Sequence, residues 1–84
     1  MKELHKIFAY ISIKTTTMNR IKEVLDQKGI KQKWLSERLG KSYNMVNSYV
    51  TNKRQPSVEV LYQIAEILSV SVKDLLIDNI KNEK

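Results

Sequence analysis

Asn44 and Asn47 stand three residues apart in a block whose apolar residues recur at helical spacing. Asparagine is a poor helix former, yet its amide pairs bidentately with N6 and N7 of adenine in a DNA major groove. Val46, Tyr49 and Val50 share one face of that block, which leaves Tyr43, Asn44, Asn47 and Ser48 on the other. Lys53 and Arg54 follow a few residues on, and both are types that contact phosphate oxygens. Solvated positions on a helix and a loop are the plain alternative. Amides and cations so close together favour nucleic acid.

Other chemistry has little to work with. The 84 residues include no cysteine and one histidine, His5, which excludes thiolate zinc sites, imidazole metal clusters and histidine-based catalytic pairs. No enzymatic activity, metal or cofactor is expected. The net charge of +6 favours a polyanionic partner, either nucleic acid or an anionic membrane surface. Residues 20–54 hold nine basic side chains (Arg20, Lys22, Lys28, Lys31, Lys33, Arg38, Lys41, Lys53, Arg54) against Glu23, Asp26 and Glu37, a net +6. Residues 55–84 hold three basic against five acidic, a net −2, and residues 1–19 contribute +2. The polyanion-facing surface is therefore expected in the middle of the chain. The longest apolar stretch, Ile7 to Ile13, has seven residues, whereas a membrane span needs about 20. Glu3 and the Lys-Thr-Thr-Thr run after Ile13 argue against a secretion signal, so a cytoplasmic location is expected.

The length allows one domain, and the elements that would position the polar face are short. Asn19 is a plausible N-cap for a first helix with Ile21, Val24 and Leu25 on one side and Gly29 as its C-cap signal. A second helix, from about Gln32 to Leu39, carries Leu35 and Leu39 and ends at Gly40, where the chain must turn with positive φ. Ser42 caps a third, over about 42–51. Pro56 takes Gln55 out of the helical region and makes 52–56 a loop. A fourth helix starts at Ser57 with Leu61, Ile64, Ala65 and Leu68 inward. Ser71-Val72-Lys73-Asp74 reads as a capping box that opens a fifth, burying Leu75 and Leu76. The expected fold is all-α, with five short helices. Two short helices about a glycine turn can set the second into a major groove.

From Gln32 to Thr51, and on through Asn52-Lys53-Arg54-Gln55-Pro56-Ser57, the sequence resembles the helix-turn-helix of the Cro and phage-repressor (Xre) family. Gln32, Leu35 followed by small Ser36, Gly40 at the turn and the Arg54-x-Pro56-Ser57 ending all fall in register. Lys31 replaces the usual Ser or Thr cap, and Ser36 the more usual Ala. The likeness covers roughly Asn19 to Ile77 and implies a lambda-repressor-like domain. It further implies that Tyr43, Asn44, Asn47 and Ser48 face the bases, and that Gln32, Lys33, Lys41, Ser42, Asn52, Lys53 and Arg54 meet phosphates. Double-stranded DNA is the implied partner, with a homodimer on a palindromic operator. Trp34 has two readings, an indole N–H aimed at a phosphate or a cover over the seam between the second and third helices; packing is favoured.

Three segments are expected: an extension over 1–17, the DNA-binding domain over 18–77, and a polar tail over 78–84. In the extension, Ile7, Ala9, Ile11 and Ile13 alternate with Phe8, Tyr10, Ser12 and Lys14, a strand pattern. A strand paired across a dimer, a tail before a start at Met18, and a DNA-binding arm of Lys2, Lys6 and Lys14 all fit. The functional expectation is a sequence-specific transcriptional regulator. An antitoxin-like protein or a restriction–modification controller, holding a protein partner through the strand or the last helix, is the alternative.

Overall fold

Apolar residues at helical spacing, each run closed by its own stop signal, fold the middle of the chain into four short helices. The computed structural model describes residues 18–77; the expected strand over Ile7–Ile13 and the tail over 78–84 lie outside the described residues. The helices are α1 (Ile21–Lys28), α2 (Gln32–Leu39), α3 (Tyr43–Val50) and α4 (Val58–Leu68). Both glycine stops hold. Gly29 (φ 67) and Gly40 (φ 73) are left-handed, and their N–H groups donate back to carbonyls of the helix each one ends. Ser42 and Ser57 cap α3 and α4, their Oγ atoms accepting from Met45 N (3.1 Å) and Val60 N (3.2 Å). Each such cap is worth about 1 kcal/mol.

The start of α1 is shifted by one residue. Arg20 occupies the cap position and makes no side-chain cap bond. Asn19 lies one residue earlier, and its Oδ1 accepts from Ile21 N (3.1 Å), so it serves the first turn from outside the helix. Its other bonds explain the shift, because the buried Asn19 amide also donates to Tyr49 O and Gln55 Oε1.

The fifth helix needs correction in kind. Val72–Leu75 is a single 3-10 turn. The Asp74 carboxylate accepts from Ser71 N (3.1 Å), the capping-box contact that the sequence predicts. The helix goes no further because the chain is taken into backbone pairing with the start of the domain. Arg20 N donates to Leu75 O (2.8 Å) and Ile77 N to Met18 O (3.2 Å), an isolated antiparallel bridge between Asn19 and Leu76. Side chains alternate along extended backbone. Leu75 therefore points inward at 0 % exposure while Leu76, expected in the core, lies outside at 41 %.

Ile21, Val24, Leu25, Leu35, Val46, Tyr49, Val50, Leu61, Ile64, Ala65, Leu68 and Leu75 form one core cluster to which every helix contributes, with Leu39 partly buried against it. Ser36 is buried, and its Oγ donates to Lys33 O (2.8 Å), which satisfies the small polar residue inside its own helix.

The α2–α3 turn is open to test. A Cβ on Gly40 would meet nothing within 4 Å, so the penalty for a Cβ there is backbone strain. Gly40→Val should cost about 1–2 kcal/mol. In a domain of this size that lowers the melting temperature by about 4–8 °C per kcal/mol. Unchanged thermal unfolding by circular dichroism would show that the turn does not depend on its left-handed residue.

Candidate nucleic-acid interface

The α3 cap leaves a polar surface free. Ser42 accepts at its own Oγ from Met45 N, which keeps its hydroxyl proton available to donate to a phosphate. Tyr43 and Asn44 are exposed, whereas Asn47 and Ser48 are half-buried. Asn44 with Asn47 makes an i,i+3 pair, and Tyr43 with Asn47 and Asn44 with Ser48 make i,i+4 pairs, so the four share one strip of the helix. Among the described residues no side-chain hydrogen bond engages the amide of Asn44 or of Asn47. Ser48 differs: its hydroxyl donates to Met45 O. It can therefore offer a base only its lone pairs, a restriction the residue type does not reveal.

Cations surround this strip in sequence. Lys31, Lys33, Lys53 and Arg54 are exposed and Lys41 is half-buried. Among the described residues the two ion pairs lie on α1, Arg20–Glu23 (2.6 Å) and Lys22–Asp26 (3.2 Å), so the cations before and after α3 carry uncompensated charge. Such charge attracts a polyanion and is screened by salt. Gln32, half-buried at the first position of α2, has its Oε1 buried without a hydrogen-bond partner among the described residues. Its donor Nε2 is the end that suits a phosphate.

Trp34, 38 % exposed, lines an open hollow with Gly29, Ile30 and Lys31 beside the α1–α2 turn. The Arg38 guanidinium stacks on it, 4.7 Å from the ring centroid, a cation–π contact. Asn52, expected at a phosphate, has its amide turned inward. Its Oδ1 accepts from Met18 N, Asn19 N and Gln55 Nε2, and its Nδ2 donates to Asn19 O. Those partners lie up to 34 residues away, which is why local sequence reading missed them. Lys53 and Arg54 remain the exposed cations of this loop.

A family model described as helix-turn-helix matches residues 21–75. The chain belongs to the helix-turn-helix family. Within it, α2 and α3 about Gly40 are the two motif helices, of the Cro and phage-repressor type. Among solved structures, the helix-turn-helix chain is similar to the crystal structure of "a putative DNA-binding protein from Bacteroides fragilis", with 42 % identity and a TM-score of 0.70 over 73 % of this chain and 100 % of that one. No curated protein matches the sequence. Among the described residues of this helix-turn-helix protein no helix is long and apolar enough to cross a membrane, and no cluster of metal-ligating side chains occurs.

Proposed function

We propose that this protein is a cytoplasmic, non-enzymatic transcriptional regulator that reads a specific DNA sequence with α3. The observation that carries this is the strip Tyr43–Asn44–Asn47–Ser48, where, among the described residues, both asparagine amides are unengaged and the cations at either end of the helix are unpaired. Asn44 and Asn47 supply the donor–acceptor pairs that recognise adenine. Gln32, Lys33, Lys41, Ser42, Lys53 and Arg54 fix the helix on the backbone through phosphates. Selection of bound duplexes from a random library should yield one preferred sequence. Recovery of unenriched DNA would contradict the reading.

The phosphate assignment makes its own prediction. Arg54→Ala should weaken binding to preferred and random duplexes alike. It should also make the slope of log K against log salt shallower by about one ion, because one phosphate is no longer neutralised. An unchanged slope would take Arg54 away from the backbone.

A homodimer on a palindromic site is part of the same reading. Met18 (49 % exposed), Leu76 (41 %) and Ile77 (39 %) surround a groove of about 300 Å³ with Pro56 and Leu61, an apolar surface suited to a second copy. Leu76→Asp should weaken self-association in sedimentation equilibrium and leave the helical content intact. An unaltered association constant would remove this face from the dimer.

A further inference from the structure

We infer that Asn19, Asn52 and Gln55 form a positioning device for the DNA-backbone contact, holding the Lys53–Arg54 loop in its binding arrangement before DNA arrives; this rests on the DNA-binding reading above. The three residues close a ring through two side-chain–side-chain bonds and the main-chain carbonyl of Asn19. Asn19 Nδ2 donates to Gln55 Oε1 (2.9 Å), Gln55 Nε2 donates to Asn52 Oδ1 (3.0 Å), and Asn52 Nδ2 donates to Asn19 O (3.1 Å). The ring is tied to main chain on both sides. Asn52 Oδ1 also accepts from Met18 N and Asn19 N, each at 2.9 Å, while Asn19 Nδ2 reaches Tyr49 O (3.0 Å) in the last turn of α3. The start of the domain, the end of α3 and the loop after it are thereby locked together.

Residue types at these positions are restrictive. Asn52 has φ 63, a left-handed conformation that asparagine tolerates better than most side chains. Glycine would fit that backbone and lose every amide bond. Aspartate would keep the acceptor and set a carboxylate oxygen against Asn19 O, where Nδ2 now donates. Asn19 is 4 % exposed, so its bonds form away from competing water.

What the ring holds is the cationic loop. Lys53 N and Arg54 N both donate to Ser48 O (2.9 and 3.0 Å), and neither side chain is ion-paired among the described residues. Apart from the Arg54 guanidinium's weak contact with Met45 Sδ (3.9 Å), their placement depends on the backbone beneath them. A loop ordered in advance does not lose that freedom on binding, which is where preorganisation raises affinity.

The test uses the full chain with Asn52→Gly, which keeps the left-handed backbone and removes the amide. It is run on the selected duplex and on random duplex, at a temperature where circular dichroism shows the variant folded. Affinity should fall about tenfold on both DNAs, the scale of one or two lost hydrogen bonds. The salt slope should match wild type because both cations remain. In the free protein, the Lys53 and Arg54 amides should exchange hydrogen faster than in wild type. A role confined to stability would lower the melting temperature and leave the folded protein's affinity alone. Affinity within twofold of wild type, with wild type binding normally, overturns the positioning role by itself. Failure of wild type to bind either duplex overturns the DNA-binding reading and the positioning role with it. Should Asn52→Gly not fold, Gln55→Ala, at an exposed position, removes two of the ring's bonds and carries the same test with an expected loss of about threefold. No loss there overturns the proposal.

Discussion

Ile64→Ala is expected to lower stability by about 2–5 kcal/mol, the range for truncating a fully buried isoleucine and leaving a cavity. Ile64 is 0 % exposed and belongs to the cluster shared by every helix, so no neighbouring element can close the gap without leaving its own contacts. At about 0.05–0.15 kcal/mol per residue, a domain of the described length has roughly 3–9 kcal/mol in all. The variant's melting temperature should fall by about 4–8 °C for each kcal/mol lost. Since Ile64 lies on no DNA-facing surface, binding should be lost only in proportion to unfolding and return on moderate cooling. Tyr62→Ala on the same helix, at a residue 61 % exposed, should change stability by less than about 0.5 kcal/mol. Thermal unfolding of the two variants by circular dichroism checks this. Similar melting temperatures would mean that the inward face of α4 has been misassigned.

That contrast along α4 was legible in the sequence, because the inward positions Leu61, Ile64, Ala65 and Leu68 repeat at helical spacing and Ser57 marks the start. The same holds for α2 and α3. Gly40 ends one by adopting positive φ and Ser42 begins the next by capping it, and both devices act within a few residues of themselves. Local signals of this kind leave little freedom to the helices they bound.

Where the reading went astray, the deciding partner was distant in the chain. A capping box specifies how a helix begins and is silent on its length. The turn after Ser71 stops at Leu75 because Arg20 and Met18 capture the backbone on either side of Leu76. Asn52 stands beside two exposed cations and so resembles a phosphate ligand. Its amide instead finds Met18, Asn19 and Gln55, and only the folded chain brings the first two near. Ser48 is a different case. Its bond to Met45 O spans three residues, a common helix habit for serine that a strictly local reading could have weighed. The chemistry of the candidate strip was legible in residue types; which protons and lone pairs stay free was not.

Base reading by α3 is the claim on which the functional account depends, and Asn44 is its sharpest point, being exposed with its amide unengaged among the described residues. If Asn44 pairs with an adenine edge, Asn44→Ala loses that pair on the preferred duplex and has little to lose on random DNA, where backbone contacts supply the affinity. The expected loss is about 1–3 kcal/mol on the preferred sequence. The fold should be untouched, because Asn44 contributes nothing to the core. The decisive measurement is a titration of wild type and Asn44→Ala against preferred and random duplexes at several salt concentrations. The account predicts a fall of about fivefold or more in the preference ratio, with the salt slope unchanged. Equal weakening on both DNAs, with the preference intact, would contradict it and show that α3 does not read bases through Asn44.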